Sequence, residues 1–550
     1  MNGLFRKRGF ALPVVLISSI VMMMILLVSL TSITSVSSSI QSQYYAKLAD
    51  EAAEAGANFA KQCLLNNNFT ASWTGAKPLK PNTNCSGDVV SACSLSVCGL
   101  IDSDTLKTTF DVGEVSGTGN QRTVTVTGKV QVLRKSNATV IQTVETVKKQ
   151  RLVRSIDPAA TRGVQRYWAF GTAAGLDFGT SGSSVSPISI PCSGSCSAIE
   201  GSTIVSKKDG TLQFWTNGLT IWNRNGNVMQ NSTGLTANAS TTQAAAIFPL
   251  DNSETRYVVV TNNTENGVND AGELYYSIVN MAAQGGLGEV ESGSKNVRLG
   301  GTDYASEALV AAPKADGSGY WVMTFLPGST NIVQFSFNNS GVPAGPTLVA
   351  SPSGIARVGG GSGFGTLNFN DDYSQLVMMA GQHCIGVGAC TSPSGLIRVM
   401  SFNTQTGAIS NLYAWNSYGY GTLGNQGYSA DFSPAGNYVY TSSLYPARVA
   451  RYSIAGTTNS AAIKSSEYYV GNAAVSTSGN AGQGGGQVLA APDGKMYVAD
   501  WGANWLSVMN TPDGSSPGWV YGGRSLSSGK QSRYGLPQLV TVYSPRVLSY

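Results

Sequence analysis

The chain has 550 residues, more than one ordinary core accommodates, so several structural parts are expected. Charged residues make up 12% of it, about half the usual share, while Gly (65) and Tyr (24) are abundant, the profile of a turn-rich β protein. The formal charge of +5 falls to +2 without Arg6, Lys7 and Arg8, which excludes nucleic-acid binding by counterion release.

Taken in chain order, those three basic residues are followed from Phe10 to Leu30 by the uncharged run FALPVVLISSIVMMMILLVSL. As a helix this run crosses roughly 30 Å, the thickness of a hydrocarbon core. No basic cluster follows directly, so the N-terminus is expected in the cytoplasm and the remainder outside. A secretory signal peptide would have a shorter apolar region ending at a small-residue cleavage site. Here Ile33, Val36, Ile40, Tyr44 and Leu48 continue at helical spacing, with no Gly before Gly56 and no Pro after Pro13. The prediction is a leader over 1–9 and one stem helix over 10–62.

Eight cysteines form a group of four (Cys63, Cys85, Cys93, Cys98) and two close pairs (Cys192 with Cys196, Cys384 with Cys390). With His383 the one histidine in the chain, a metal cluster lacks ligands, and oxidised pairs outside the cytosol are the reading. The first four cysteines allow three connectivities. Residues 57–104 read as irregular structure fastened by them. Val124, Val126, Gly128, Val130 and Val132 then alternate with polar residues, Arg134–Ala138 makes a turn, and Thr139–Val153 returns as the partner strand. A small disulfide-containing β domain over 63–155 and a linker over 156–166 follow from this.

The leader and helix RKRGFALPVVLI, together with AAEAGA at Ala52–Ala57, resemble the class III signal and stem of type IV pilins and pseudopilins. The helix, loop and antiparallel-sheet order resembles the pilin globular domain. The resemblance implies that prepilin peptidase cuts between Gly9 and Phe10, that Phe10 becomes the N-methylated first residue, and that the helix packs against other pilins. One position departs from the family: Val14 stands where most major pilins carry a glutamate thought to neutralise a neighbour's N-terminal amine. An unpaired buried carboxylate is costly, so the departure suits a subunit at the fibre tip; it also suits a divergent lineage.

From Tyr167 onward the chain shows no amphipathic helix, only short apolar strands bounded by Gly, Asn, Asp and Pro. GYSADFSPAGNYVYTSSLYPARVARYSI (Gly427–Ile454) and GQVLAAPDGKMYVADWGANWLSVMN (Gly486–Asn510) share one plan, an apolar strand, a turn such as Ser433–Gly436 or Ala491–Gly494, and a second apolar strand. Turn spacings of about 45 to 65 residues suit four-stranded propeller blades. About 375 residues make seven or eight such blades; seven over 167–550 are predicted, with a β-sandwich pair or a β-helix as the competing architectures. YWAFGTAAGLDFG (Tyr167–Gly179), the stretch Ile199–Met229 and GELYYSIVNMAAQGGLGEV (Gly272–Val290) resemble WD40-type propellers of large secreted proteins from gliding and host-associated bacteria. YGLPQLV (Tyr534–Val540) resembles their closing strand. The fold class is therefore α+β: a pilin-like helix with a small antiparallel sheet, then an all-β propeller.

No catalytic residues are expected. His383 has no nucleophile beside it, and Gly514–Gly518, which matches G-x-S-x-G, sits in a proline-containing turn rather than between a strand and a helix. No cofactor is expected, with one candidate exception: the loop Asn262–Glu273 offers Asn266, Asn269, Asp270 and Glu273 as oxygen ligands for Ca²⁺. Trp415, Tyr418 and Tyr420 in one loop, with Trp501 and Trp505 in another, are candidate ligand-binding residues, because exposed rings stack on sugars or form protein hot spots; packing between blades is the alternative. The functional expectation is a minor, tip-located type IV pilin that displays an extracellular propeller toward a surface glycan or protein. A membrane-anchored propeller enzyme and the tip pseudopilin of a secretion system are the alternatives.

Overall fold

The computed structural model describes all residues except 1–10, 68, 91–99, 118–120, 157–164, 183, 195, 251–252, 265–271, 301–304, 327–330, 350–364, 382–394, 417–426, 445–446, 458, 473–484, 544 and 550. These residues form two compact units, Met1–Arg154 with Val547–Tyr550, and Ser155–Arg546.

The first unit is built on one helix, α1 (Ala11–Asn66), 56 residues and therefore roughly 84 Å long. Its apolar side chains from Val15 to Tyr44 are exposed, Leu26 by 58%, and this part is long and apolar enough to cross a membrane. From Ala49 onward the helix is covered. Ala53, Ala57, Phe59, Ala60 and Leu64 pack against Phe110, Val112, Val124, Val126 and Leu152 of an antiparallel sheet. The sheet consists of β1 (Leu106–Ser116), β2 (Gln121–Leu133) and β3 (Val140–Ile156), and β2 buries Val124, Val126, Gly128 and Val130 on alternate positions. A Cβ on Gly128 would lie 2.0 Å from the Ala49 carbonyl oxygen, so only glycine lets helix and strand approach this closely.

Two boundaries differ from expectation. The helix runs past residue 62 to Asn66 and takes Cys63 with it, because no helix breaker intervenes and Leu64 is buried in the core. Cys63 bonds to Cys85, fastening the following loop to the end of the helix. The expected propeller range 167–550 also ends too late, since Pro545–Ser549 is the fourth strand of the small sheet, next to β3.

In the second unit, seven sheets follow one another among the described residues. They start at Tyr167, Ser202, Ala245, Val310, Gly365, Gly427 and Gly485, and form the seven blades of a propeller. Apolar clusters fill the junctions between neighbouring blades, for example Val377, Met379 and Ile397 of the fifth against Ala430, Phe432 and Val439 of the sixth. The ring closes where Trp168, Phe170 and Leu176 of the first blade meet Leu489, Tyr497 and Leu506 of the seventh. Each meander from the third blade to the seventh starts at its inner strand, so successive connections alternate between the two ends of the ring. The strand ends that border 263–273, 350–364, 382–394, 417–426 and 473–484 all lie at one end, the long-loop end. Tight turns such as Lys314–Gly317, Ser433–Gly436 and Ala491–Gly494 occupy the other.

The first and last blades do not share strands. Instead, residues 531–543 run down the inside of the ring. Tyr534 N–H donates to the Ile199 carbonyl at 3.1 Å, Pro537 and Gln538 pair in parallel with Ser202 and Thr203, and Thr541 N–H donates to Ile247 at 3.1 Å. Tyr543 N–H then reaches the Tyr320 hydroxyl at 3.1 Å. The sequence YGLPQLV thus closes the ring as an axial pin. Gly535 permits it, since a Cβ there would sit 1.7 Å from the Glu200 carbonyl oxygen.

Candidate functional site

At the long-loop end, residues that precede or open the inner strands of four blades converge on the axis. Glu200 leads into the second blade, Thr242 into the third, Glu307 into the fourth, and Tyr428 opens the sixth. All four are buried. The Thr242 hydroxyl lies 2.7 Å from Oε2 of Glu307 and 3.2 Å from Oε2 of Glu200. Tyr428 donates to Glu200 at 2.9 Å, Ser240 donates to it at 3.2 Å, and Thr242 N–H donates to Glu307 at 2.9 Å. The Thr242 hydroxyl has one hydrogen, so it serves one of the two carboxyls at a time. Burial pushes the Glu200 carboxyl up to about 7 against the opposing hydrogen bonds from Tyr428, Thr242 and Ser240. The same burial, with Glu200 alongside, holds the Tyr428 hydroxyl well above the usual phenol range.

An aromatic wall adjoins the carboxyl pair. Trp501 stacks on Tyr534 with ring centroids 4.2 Å apart, the Arg533 guanidinium lies 4.7 Å from the Trp501 centroid, and Tyr534 faces Tyr428 at 6.1 Å. Trp501, Arg533 and Tyr534 are half-buried. This end of the ring therefore combines a guanidinium, stacked half-buried rings and a buried carboxyl pair, a composition suited to holding polar ligands with flat faces.

The sequence-predicted residues distribute as follows. Trp501 joins this site. Trp415 does not: it is 4% exposed and packs between the fifth and sixth blades, 5.3 Å from Tyr452, because an apolar inter-blade junction takes it in. Trp505 stands edge-on to Tyr521 at 6.0 Å in the seventh blade. Tyr418 and Tyr420 lie outside the described residues, as do His383, Asn266, Asn269 and Asp270. Glu273 accepts hydrogen bonds from Tyr275 and, at 2.6 Å, from Arg298, which hold its carboxyl below the usual range. It is thus engaged by a cation rather than offered to one, and the described residues contain no group of three metal ligands. Cys192 bonds to Cys196, while Cys93, Cys98, Cys384 and Cys390 lie outside the described residues, as does the expected processing site Gly9–Phe10.

No family model and no curated protein matches the chain. Among solved structures it is similar to the periplasmic gluconolactonase of Pseudomonas aeruginosa, with 12% identity, a TM-score of 0.34, and 76% of this chain and 94% of that one covered. It is similar also to the Dos1 propeller, with 9% identity, a TM-score of 0.34, and coverage of 80% and 89%. The β-propeller domain of Myceliophteria thermophila Cps50 gives 9% identity, a TM-score of 0.30, and coverage of 71% and 96%.

Proposed function

We propose that the chain is a minor type IV pilin that anchors through α1 in a membrane or fibre and displays its propeller outside the cell to recognise a surface or another cell. The observation that carries this reading is α1 itself: one continuous helix whose N-terminal part exposes an apolar surface and whose C-terminal part is covered by a small antiparallel sheet. Disulfides in both units agree with an oxidising compartment. The long-loop end of the propeller carries the buried carboxyl pair and the stacked rings. Recognition is assigned to that end, with Trp501, Tyr534 and the Glu200–Glu307 pair as its described part.

Mass spectrometry of the mature protein should find Phe10, methylated, as the first residue. A start well beyond residue 30 would remove the apolar helix and sink the pilin reading. Immunogold against the propeller should label sheared fibres at their ends, because a head this large on every subunit would collide along the shaft. Regular decoration of the shaft would count against the tip position. The buried carboxyl pair is what favours the alternative, an anchored propeller enzyme; hydrolase or lyase activity of the purified protein, lost in Glu200→Gln, would establish that instead.

A further inference from the structure

The short-turn end of the ring holds a cavity of about 200 Å³, bounded by the fourth to seventh blades and by residues 538–541 of the axial pin. One of its walls is built against the local backbone preference. At this end Gly210, Gly317, Gly436 and Gly494 each close an inner turn with φ between 70° and 83°. In the fifth blade the same position, at the end of Asn370–Tyr373, is Tyr373 with φ 58°, a left-handed conformation unfavourable for a bulky residue. Its side chain is buried, and its ring lies 5.4 Å from that of Phe369. A strained residue retained at a cavity points to use of that cavity.

The wall chemistry selects the ligand. Among the described residues no Lys, Arg or His lines the cavity, so an anion finds no counter-charge there. Asp431 is fixed in the wall by two backbone donors, Phe432 N–H at 2.9 Å to Oδ1 and Ala490 N–H at 2.8 Å to Oδ2. Burial also pushes this carboxyl up to about 7, which weakens it as a trap for a cation. Phe369, Tyr373 and Phe432 line it with aromatic rings, and the Asp371 carboxyl and the Gln538 amide line it with polar groups, while the Asn370 amide is engaged by Ser374 and Gln375. The volume is below the roughly 300–1,000 Å³ of sites for drug-sized molecules and suits one ring.

We propose that this cavity binds a single uncharged hexopyranose unit, with its apolar ring face on the aromatic wall and its hydroxyls on the carboxyl and amide groups. The proposal goes beyond the pilin reading, since the cavity has the same chemistry whether or not the chain enters a fibre. The test uses the full chain in a detergent without a sugar headgroup, titrated with glucose, galactose, mannose and N-acetylglucosamine by calorimetry and ligand-observed NMR. At least one of these should bind at a single site and bind about tenfold more weakly to Asp371→Ala and to Tyr373→Gly. The second variant places glycine where the other turns already have it, so it should fold. Glucuronate should bind more weakly than glucose. Absence of binding by all four sugars at tens of millimolar overturns the proposal, as does binding unchanged in both variants, or binding of spermidine where no sugar binds.

Discussion

Glu200 and Asp431 are carboxyls that folding removes from water without a compensating cation among the described residues. Both are pushed up to about 7, chiefly by burial. The folded state therefore holds protons that the unfolded state releases. Stability from these groups is fully present below the ordinary carboxylate range and is lost as pH rises through about 7. Thermal unfolding should fall in midpoint from pH 5 to pH 8. Glu200→Gln, which stays uncharged and keeps an acceptor for Tyr428, should flatten part of that fall and gain a few kcal/mol relative to the parent at pH 8; equal slopes would mean that Glu200 does not change protonation in this window. Sequence gave no sign of this group. Glu200, Thr242, Glu307 and Tyr428 stand alone in their segments and meet only through ring closure. Trp501 and Trp415 were equally visible as aromatic residues, but composition cannot tell a junction between blades from a rim.

Among the elements, α1 and the pair β2–β3 were legible because each repeats one period over many residues with one face buried. Strand β1 was not assigned in advance, since Thr108 takes one of its buried positions and interrupts the apolar alternation. The strand Pro545–Ser549 was missed because it is short and its partner β3 is remote in sequence. The tightest contact of the first unit is testable at one atom. Gly128→Ala places a methyl group against the backbone of α1 at Ala49, where no side chain can swing aside. A loss of about 1–3 kcal/mol is expected from such overpacking, measured as a lowered unfolding midpoint of the first unit; an unchanged midpoint would show that the helix shifts without cost.

At the scale of the whole molecule, turn spacing and length leave seven or eight blades, of which the structure shows seven among the described residues, whereas the way the ring is locked is not legible in the sequence. A strand-sharing closure and an axial pin have the same sequence pattern, a short apolar run near the C-terminus. The pin contacts the inner strands of the second, third and fourth blades and ties the seventh blade to the first through Gln487 and Thr172. Ending the chain after Lys530 should therefore loosen the ring as a unit, with a lower, broader unfolding transition and faster proteolysis between blades. A truncated protein as resistant as the full chain would show that the inter-blade clusters suffice.

The pin also sets an order in time. Its residues are made after every blade, yet they lie inside the ring that those blades form. Seven blades can pair their strands early, but their common axis stays open until residues 531–543 have been made. A nascent or partly delivered chain thus carries apolar inner strands without their final cover, the condition in which long-range β structures aggregate. Locking of the ring follows the making of all seven blades, and a holding factor that releases the chain before residues 531–543 arrive would release an unlocked ring.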